Sequence, residues 1–139
     1  MSNQWALCRI AKSYKFSAAH FLPHVPDWHK CKRLHGHNYV VEVEIRGEMG
    51  SPNGPKPGFC AGIDFFDIDS HMQPLLEKLD HNLLNDIPGL DNPTAENIAA
   101  WFMSSFLRHD FYSVRVWEEA DCWAQVINAD GLFRRQHKE

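Results

Sequence analysis

Four residues beyond Cys31 stands the triplet His35-Gly36-His37, and a third histidine, His20, ends an upstream run of alternating character. Three imidazoles and a thiol form a set of metal donors. Successive side chains of a β-strand point to opposite faces, so His35 and His37 project the same way and can grip one ion. Three neutral imidazoles with an open fourth position describe a catalytic zinc site, whereas a structural site fills all four positions with protein ligands. Cys31 decides between the two. As a ligand it closes the site; standing off the metal, it is a thiol beside a cation and a candidate reactive group.

The flanking residues test whether the three rings can converge. From residue 6 to His20 the even positions read Ala, Cys, Ile, Lys, Tyr, Phe, Ala, His, against Arg9, Ser13, Lys15 and Ser17 at odd ones. Lys12 apart, this is a half-buried strand whose apolar face ends in His20. The run from His35 continues through His37, Tyr39, Val41, Val43 and Ile45, against Asn38, Glu42, Glu44 and Arg46. Any one of these histidines alone reads as a core residue with a hydrogen-bond partner. Three on the inner faces of two strands joined by a compact loop favour a metal, because burying unpaired imidazoles carries a desolvation cost.

Two more polar groups interrupt core patterns. Glu118 continues the face of Val114 and Val116, and an inward carboxylate needs paired donors. The two parallel N–H groups of a 2-aminopyrimidinone edge offer such a bidentate match; the plain alternative is a wet strand end. Asp80 and His81 follow an apolar helical run. An Asp beside a His can orient the imidazole for proton transfer, although such a pair also commonly just ends a helix.

The elements that must position these groups run strand, strand, helix, helix, strand, strand. The connection over residues 22–34 carries Cys31 above the sheet end. A turn region follows at residues 50–58, rich in Pro and Gly. Asp64 is the expected N-cap of a helix bearing Phe65, Ile68, Met72, Leu75, Leu76 and Leu79, with a kink or restart expected at Pro74. Thr94 can cap a second helix containing Ile98, Trp101, Phe102 and Phe106, and the last strands fall at about 113–118 and 123–127.

At 139 residues and 44% hydrophobic content, the chain reads as one domain, 1–139, with material for a core. Residues 1–5 show neither a basic nor an apolar leader region, and no apolar run approaches membrane-spanning length. A cytoplasmic protein without a membrane partner is expected. The four cysteines form no CxxC pair, which makes a disulfide framework unexpected. With a net charge of −4 and no basic stripe interleaved with aromatics, nucleic acid is excluded as the expected partner. A local basic stretch at His29, Lys30, Lys32 and Arg33 reads equally as a solvated loop or an anion site.

The runs Phe16-Ser17-Ala18-Ala19-His20, Cys31-Lys32-Arg33-Leu34-His35-Gly36-His37-Asn38-Tyr39, Leu79-Asp80-His81-Asn82-Leu83-Leu84-Asn85, Pro93-Thr94-Ala95-Glu96-Asn97 and Val114-Arg115-Val116-Trp117-Glu118 resemble, in order, the motifs of the 6-pyruvoyl-tetrahydropterin synthase family. The short spacing from Cys31 to His35 resembles the 6-carboxy-5,6,7,8-tetrahydropterin synthases of queuosine biosynthesis within it. The resemblance implies an α+β tunnelling fold (T-fold): a four-stranded antiparallel sheet with two helices on one face, joined to neighbours in an oligomeric barrel, a homo-hexamer or tetramer. It implies zinc on His20, His35 and His37, Cys31 as general base assisted by Asp80 and His81, and Glu118 and Thr94 holding the pterin. The implied substrate is the pterin triphosphate 7,8-dihydroneopterin triphosphate, giving 6-carboxy-tetrahydropterin, acetaldehyde and triphosphate. Lys30, Lys32 and Arg33 are triphosphate candidates by charge and position.

Two departures from the family pattern stand out. Glu119 follows Glu118 where threonine is common, and strand alternation favours an outward Glu119. The turn over residues 50–62 is richer in Pro and Gly than expected and contains Cys60, which reads as structurally incidental. Three rivals share much of the pattern: a pyruvoyl-forming or folate-related pterin lyase, a zinc-hydroxide enzyme with Cys31 a bystander, and a non-catalytic zinc-stabilised pterin-binding module.

Overall fold

The computed structural model describes residues 6–106 and 110–128. Residues 1–5, from which the lack of a leader was read, lie outside the described residues. Strands β1 (Leu7–His20), β2 (His35–Glu48), β3 (Phe111–Glu119) and β4 (Cys122–Ile127) form one sheet in that order, with every neighbouring pair antiparallel. Helices α1 (Phe65–Leu79) and α2 (Ala95–Ser104) lie in the connection between β2 and β3. The inward stripe of the strands, Phe16, Tyr39, Val41, Val43, Ile45, Val114 and Val116, joins Ile68, Met72, Leu79, Ile98 and Phe102 of the helices in one buried cluster. No described helix is long and apolar enough to cross a membrane.

Lys12, the polar exception on the inner stripe of β1, is explained by α1. Its Nζ lies 2.7 Å from the Asp69 carboxylate, which also accepts the Tyr14 hydroxyl at 2.6 Å. Asp64 begins α1 as expected: its carboxylate accepts the Asp67 N–H, and the Asp67 carboxylate accepts the Asp64 N–H, a reciprocal cap. The helix does not restart at Pro74 but runs unbroken to Leu79. Pro74 and Ser70 are both exposed, so the carbonyl that loses its helical donor faces water.

The turn after β2 folds back on itself rather than hanging free. The Gly50 N–H donates to the Phe59 carbonyl and the Gly58 N–H to the Gly50 carbonyl. A Cβ at Gly50 would lie 1.8 Å from the Lys56 oxygen, so only glycine permits this closure. The fold-back carries Cys60 to Cys8 at the start of β1, and the two are joined in a disulfide. The expectation of no disulfide and the reading of Cys60 as incidental are therefore corrected. Spacing along the chain could not reveal a pairing across 52 residues that depends on how a turn closes. Cys31 and Cys122 are the free cysteines among the described residues.

Candidate active site

The β1–β2 register sets His20 directly opposite His35, and Ala18 opposite His37. One strand step beyond, the Phe16 and Tyr39 rings stack at 4.8 Å, which roots the histidine cluster in the core. The three imidazole centroids lie 4.5 to 5.0 Å apart. Each Nδ1 has an oxygen acceptor: the Pro93 carbonyl for His20 at 2.8 Å, the Arg33 carbonyl for His35 at 2.6 Å, and the Glu119 carboxylate for His37 at 2.9 Å. These acceptors cannot donate, so Nδ1 carries the hydrogen and Nε2 of the neutral ring keeps its lone pair. All three Nε2 atoms are buried and without a hydrogen-bond partner among the described residues. Potential ligand atoms of the three rings lie within 4.8 Å of one another. Burial, opposed by the Pro93 carbonyl and reinforced by the other two histidines, pushes His20 down to about 4, leaving the neutral ring that binds metals. Three buried lone pairs with outward-tied N–H groups fit a metal ion held by His20, His35 and His37.

The motif residues around the cluster fix its histidines through the backbone. Thr94 Oγ1 accepts the Asn97 N–H and caps α2, while Asn97 Nδ2 donates to the Asn92 carbonyl. Together they aim the intervening Pro93 carbonyl at His20. Asn85 holds the chain just past His20 from both sides, accepting the Phe21 N–H at 3.0 Å and donating to its carbonyl at 2.8 Å. Asp80 accepts the Ser17 N–H at 2.9 Å, and the His81 N–H donates to the Ser17 carbonyl. The Ser17 donor, together with the His81 ring 2.9 Å away, holds the Asp80 carboxyl below the usual carboxylate range. His81 adopts φ 59°, a left-handed conformation that a non-glycine residue keeps only when its surroundings enforce it.

Glu118 lies on the side of the cluster where the lone Nε2 atoms sit, with a carboxylate oxygen 3.9 Å from His37 Nε2. It shares a cleft of roughly 400 Å³ with Thr94, Glu96 and Trp123. Tyr39 is fully buried, and its hydroxyl has no hydrogen-bond partner among the described residues. Burial, then the charges of Glu118 and Cys31, hold that phenol in its protonated form. Cys31 sits in a single 3-10 turn, Lys30–Lys32, fixed by its backbone: its N–H donates to His29 Nδ1 at 3.0 Å and its carbonyl accepts from Leu22. The donor cluster contains the three imidazoles and not the thiol.

The structure thus brings together His20, His35, His37 and Glu118, and places Glu118 and Thr94 on one cleft. Asp80 and His81 are bonded to Ser17 and to each other rather than to Cys31. They clamp the open edge of β1, where His81 borders a cleft with Ser17, His37 and Asn38. Lys32 is turned away from any ligand by Asp27 at 2.7 Å and the Val25 carbonyl, leaving Lys30 and Arg33 as the exposed cations of that stretch. Glu119 is exposed and lines a cleft with Lys15, Ser17, Asn38 and Trp117, as the outward reading expects, yet its carboxylate reaches back to His37 Nδ1. The β3–β4 register shifts between Trp117 and Glu119, where regular alternation stops.

Residues 9–129 match the family model of 6-pyruvoyl tetrahydropterin synthase. The chain belongs to the 6-pyruvoyl tetrahydropterin synthase family. Membership makes this protein a pterin lyase, and its sheet and helices are the T-fold of that family. It is 41% identical to the 6-carboxy-5,6,7,8-tetrahydropterin synthase of Synechocystis over 68% of this chain and 71% of that protein. It is 31% identical to the Haemophilus influenzae protein of the same name, over 79% and 92% of the two chains. The dihydroneopterin monophosphate aldolase of Pyrococcus furiosus is 37% identical over 67% of this chain and 69% of that one. In structure the protein is similar to the Caenorhabditis elegans 6-pyruvoyl tetrahydropterin synthase, with a TM-score of 0.76 and 24% identity over 89% of this chain and 97% of that one.

Within this pterin lyase, periodicity alone found the three histidines and Glu118. It missed the contact of Glu119 with His37, made at the strand irregularity, and the Pro93 and Arg33 carbonyls, which carry no side-chain signal. It also missed the lone Tyr39 hydroxyl, because a tyrosine on an apolar stripe reads as core.

Proposed function

We propose that the protein is a zinc-dependent 6-carboxy-5,6,7,8-tetrahydropterin synthase, acting on 7,8-dihydroneopterin triphosphate in queuosine biosynthesis and releasing acetaldehyde and triphosphate. The observation that carries this reading is the placement of the Glu118 carboxylate 3.9 Å from the metal-facing nitrogen of His37. A pterin held by its 2-aminopyrimidinone edge on Glu118 would present its side chain to the three-histidine centre. The relatives named as 6-carboxy synthases support the choice of product.

His20, His35 and His37 would hold the zinc, which supplies Lewis acidity toward the hydroxyls of the substrate side chain. Glu118 accepts two parallel N–H groups of the pterin, a charge-assisted pair that fixes the ring. Cys31, outside the ligand set, is the general base that takes the proton from the side-chain carbon nearest the ring. Its backbone tethers to His29 and Leu22 hold the thiol in place without occupying the sulfur. Asp80 and His81 assist proton transfer from the open edge of β1, so their partner thiol is that of a neighbouring protomer in a homo-oligomer. Such an assembly would also cover the free sheet edges of β1 and β4. Lys30 and Arg33 are the groups for the triphosphate. Nothing in this reading calls for nucleic acid or a membrane, and a cytoplasmic setting suits a soluble triphosphate substrate.

The likeness to dihydroneopterin monophosphate aldolase favours one other reading, a retro-aldol lyase on a monophosphate of the same pterin. One experiment separates them. Purified, zinc-loaded protein is given 7,8-dihydroneopterin triphosphate or its monophosphate, and products are identified by mass spectrometry. Acetaldehyde with 6-carboxy-tetrahydropterin is expected from the triphosphate. A 6-hydroxymethyl pterin with glycolaldehyde phosphate, formed from the monophosphate alone, would overturn the assignment in favour of the aldolase.

A further inference from the structure

His37 is the one imidazole of the cluster that lies between two carboxylates. Glu119 Oε1 is 2.9 Å from its Nδ1, and Glu118 Oε2 is 3.9 Å from its Nε2. The neutral ring has one hydrogen to place. On Nδ1, the hydrogen is given to Glu119, and the Nε2 lone pair joins those of His20 and His35. On Nε2, it points toward Glu118 instead, which removes one of three metal donors and occupies the carboxylate meant for the pterin. His20 and His35 face no such choice, because backbone carbonyls of Pro93 and Arg33 hold their Nδ1 atoms. Only for His37 does the outcome depend on a side chain.

We propose that Glu119 is a positioning residue that selects the Nδ1–H tautomer of His37, keeping Nε2 free for the metal and Glu118 free for the substrate. A carboxylate suits this task because it can only accept. A threonine hydroxyl, the residue the family pattern leads one to expect here, can donate as well as accept and so cannot impose a tautomer. The β3–β4 register shifts at the end of β3, and there Glu119, although it borders the outer cleft with Lys15, Ser17 and Trp117, reaches His37 from one side while Glu118 reaches it from the other. A carboxylate on the outer nitrogen also strengthens the ring as a donor, and loss of such partners commonly weakens metal binding by about 10- to 100-fold. The consequence for metal binding rests on the metal-centre reading above; the choice of tautomer does not.

The test compares wild type with Glu119→Ala, Glu119→Gln and Glu119→Thr. The His37 tautomer is read in metal-free protein by long-range ¹H–¹⁵N correlation, and zinc affinity by competition with a chromophoric chelator. Glu119 is 64% exposed and His37 is the partner that fixes it, so the variants should melt with the wild type. Wild type should show Nδ1–H alone. The alanine and threonine variants should populate Nε2–H and bind zinc about 10- to 100-fold more weakly. Glutamine, whose amide can present either its oxygen or its NH2 to Nδ1, should fall between wild type and alanine in both tautomer population and affinity. An alanine variant that keeps the Nδ1–H form and binds zinc within twofold of wild type would overturn the proposal. A wild type that binds no zinc, with tautomers shifting as described, would uphold the role of Glu119 and defeat the metal-centre reading instead.

Discussion

Replacing Cys31 by alanine separates chemistry from binding at a single sulfur atom. The hydrogen bonds that hold residue 31 are made by its backbone N–H and carbonyl, so alanine retains both. The side chain is half-buried and outside the core cluster, and removing its sulfur should cost no more than about 1 kcal/mol of stability. The three imidazoles that could hold the proposed zinc are not touched. Zinc content should therefore stay at one per chain, and affinity for a non-reacting pterin should stay within a few-fold of wild type. Turnover should fall by at least about 100-fold, which corresponds to about 2.7 kcal/mol on the barrier and is the lower end of what a positioned general base contributes. Zinc is measured by elemental analysis, pterin binding by calorimetry and turnover by product formation, all on one preparation. Loss of zinc would make the thiol a fourth ligand and the centre structural. Unchanged turnover would make it a bystander and revive the zinc-hydroxide alternative.

Glu118→Ala should keep its zinc but bind pterin about 10- to 100-fold more weakly, the effect of losing a charged hydrogen-bond acceptor, with KM rising before kcat falls. His37→Ala should lose zinc and activity together, since two imidazoles remain where three are needed; full zinc occupancy in that variant would rule out the ligand set. Asp69 is held below the usual carboxylate range by Lys12 and Tyr14, so its contribution to stability is fully present above the unfolded value of about 3.9 and is lost as pH falls through the lower folded value. Asp69→Asn should flatten the acid side of the melting-temperature profile; an unchanged slope below pH 4 would show that the pair does not matter. Oxidised protein should expose two titratable thiols, Cys31 and Cys122, against four after reduction. For a bridge spanning 52 residues, reduction should lower stability by about 4 kcal/mol on the chain-entropy account, and an unchanged melt with reductant would contradict it.

The legible parts of the site are those governed by a simple period. His20, His35 and His37 could be placed because alternation holds along β1 and the first half of β2, and Glu118 because it holds along β3 as far as Trp117. What escaped lies where regular geometry stops. Pro74 looked like a break, but an exposed helix face lets water replace the missing donor. Cys60 looked incidental until Gly50 allowed the turn to close on Cys8. Asp80 and His81 carried a chemical signal without an address: their adjacency is in the sequence, while their position on the sheet edge comes from Ser17.

The two clamps on β1 link that lesson to function. Asp80 and the His81 N–H grip Ser17, and Asn85 grips Phe21, so the segment carrying His20 is held on both sides by residues of a single motif. Their hydrogen bonds are to backbone, which means that they fix His20 whatever side chains stand at 17 and 21. A motif that looked purely catalytic thus has a second reason for its composition. Asp80 consequently has two roles that one substitution would confuse: Asp80→Ala removes both a candidate proton-transfer partner and the acceptor for Ser17. Asp80→Asn retains an acceptor for the Ser17 N–H while removing the charge. If the clamp is what matters, the asparagine variant should keep the metal affinity and activity of wild type and the alanine variant should lose both. If the charge matters, asparagine should keep the metal and lose the turnover.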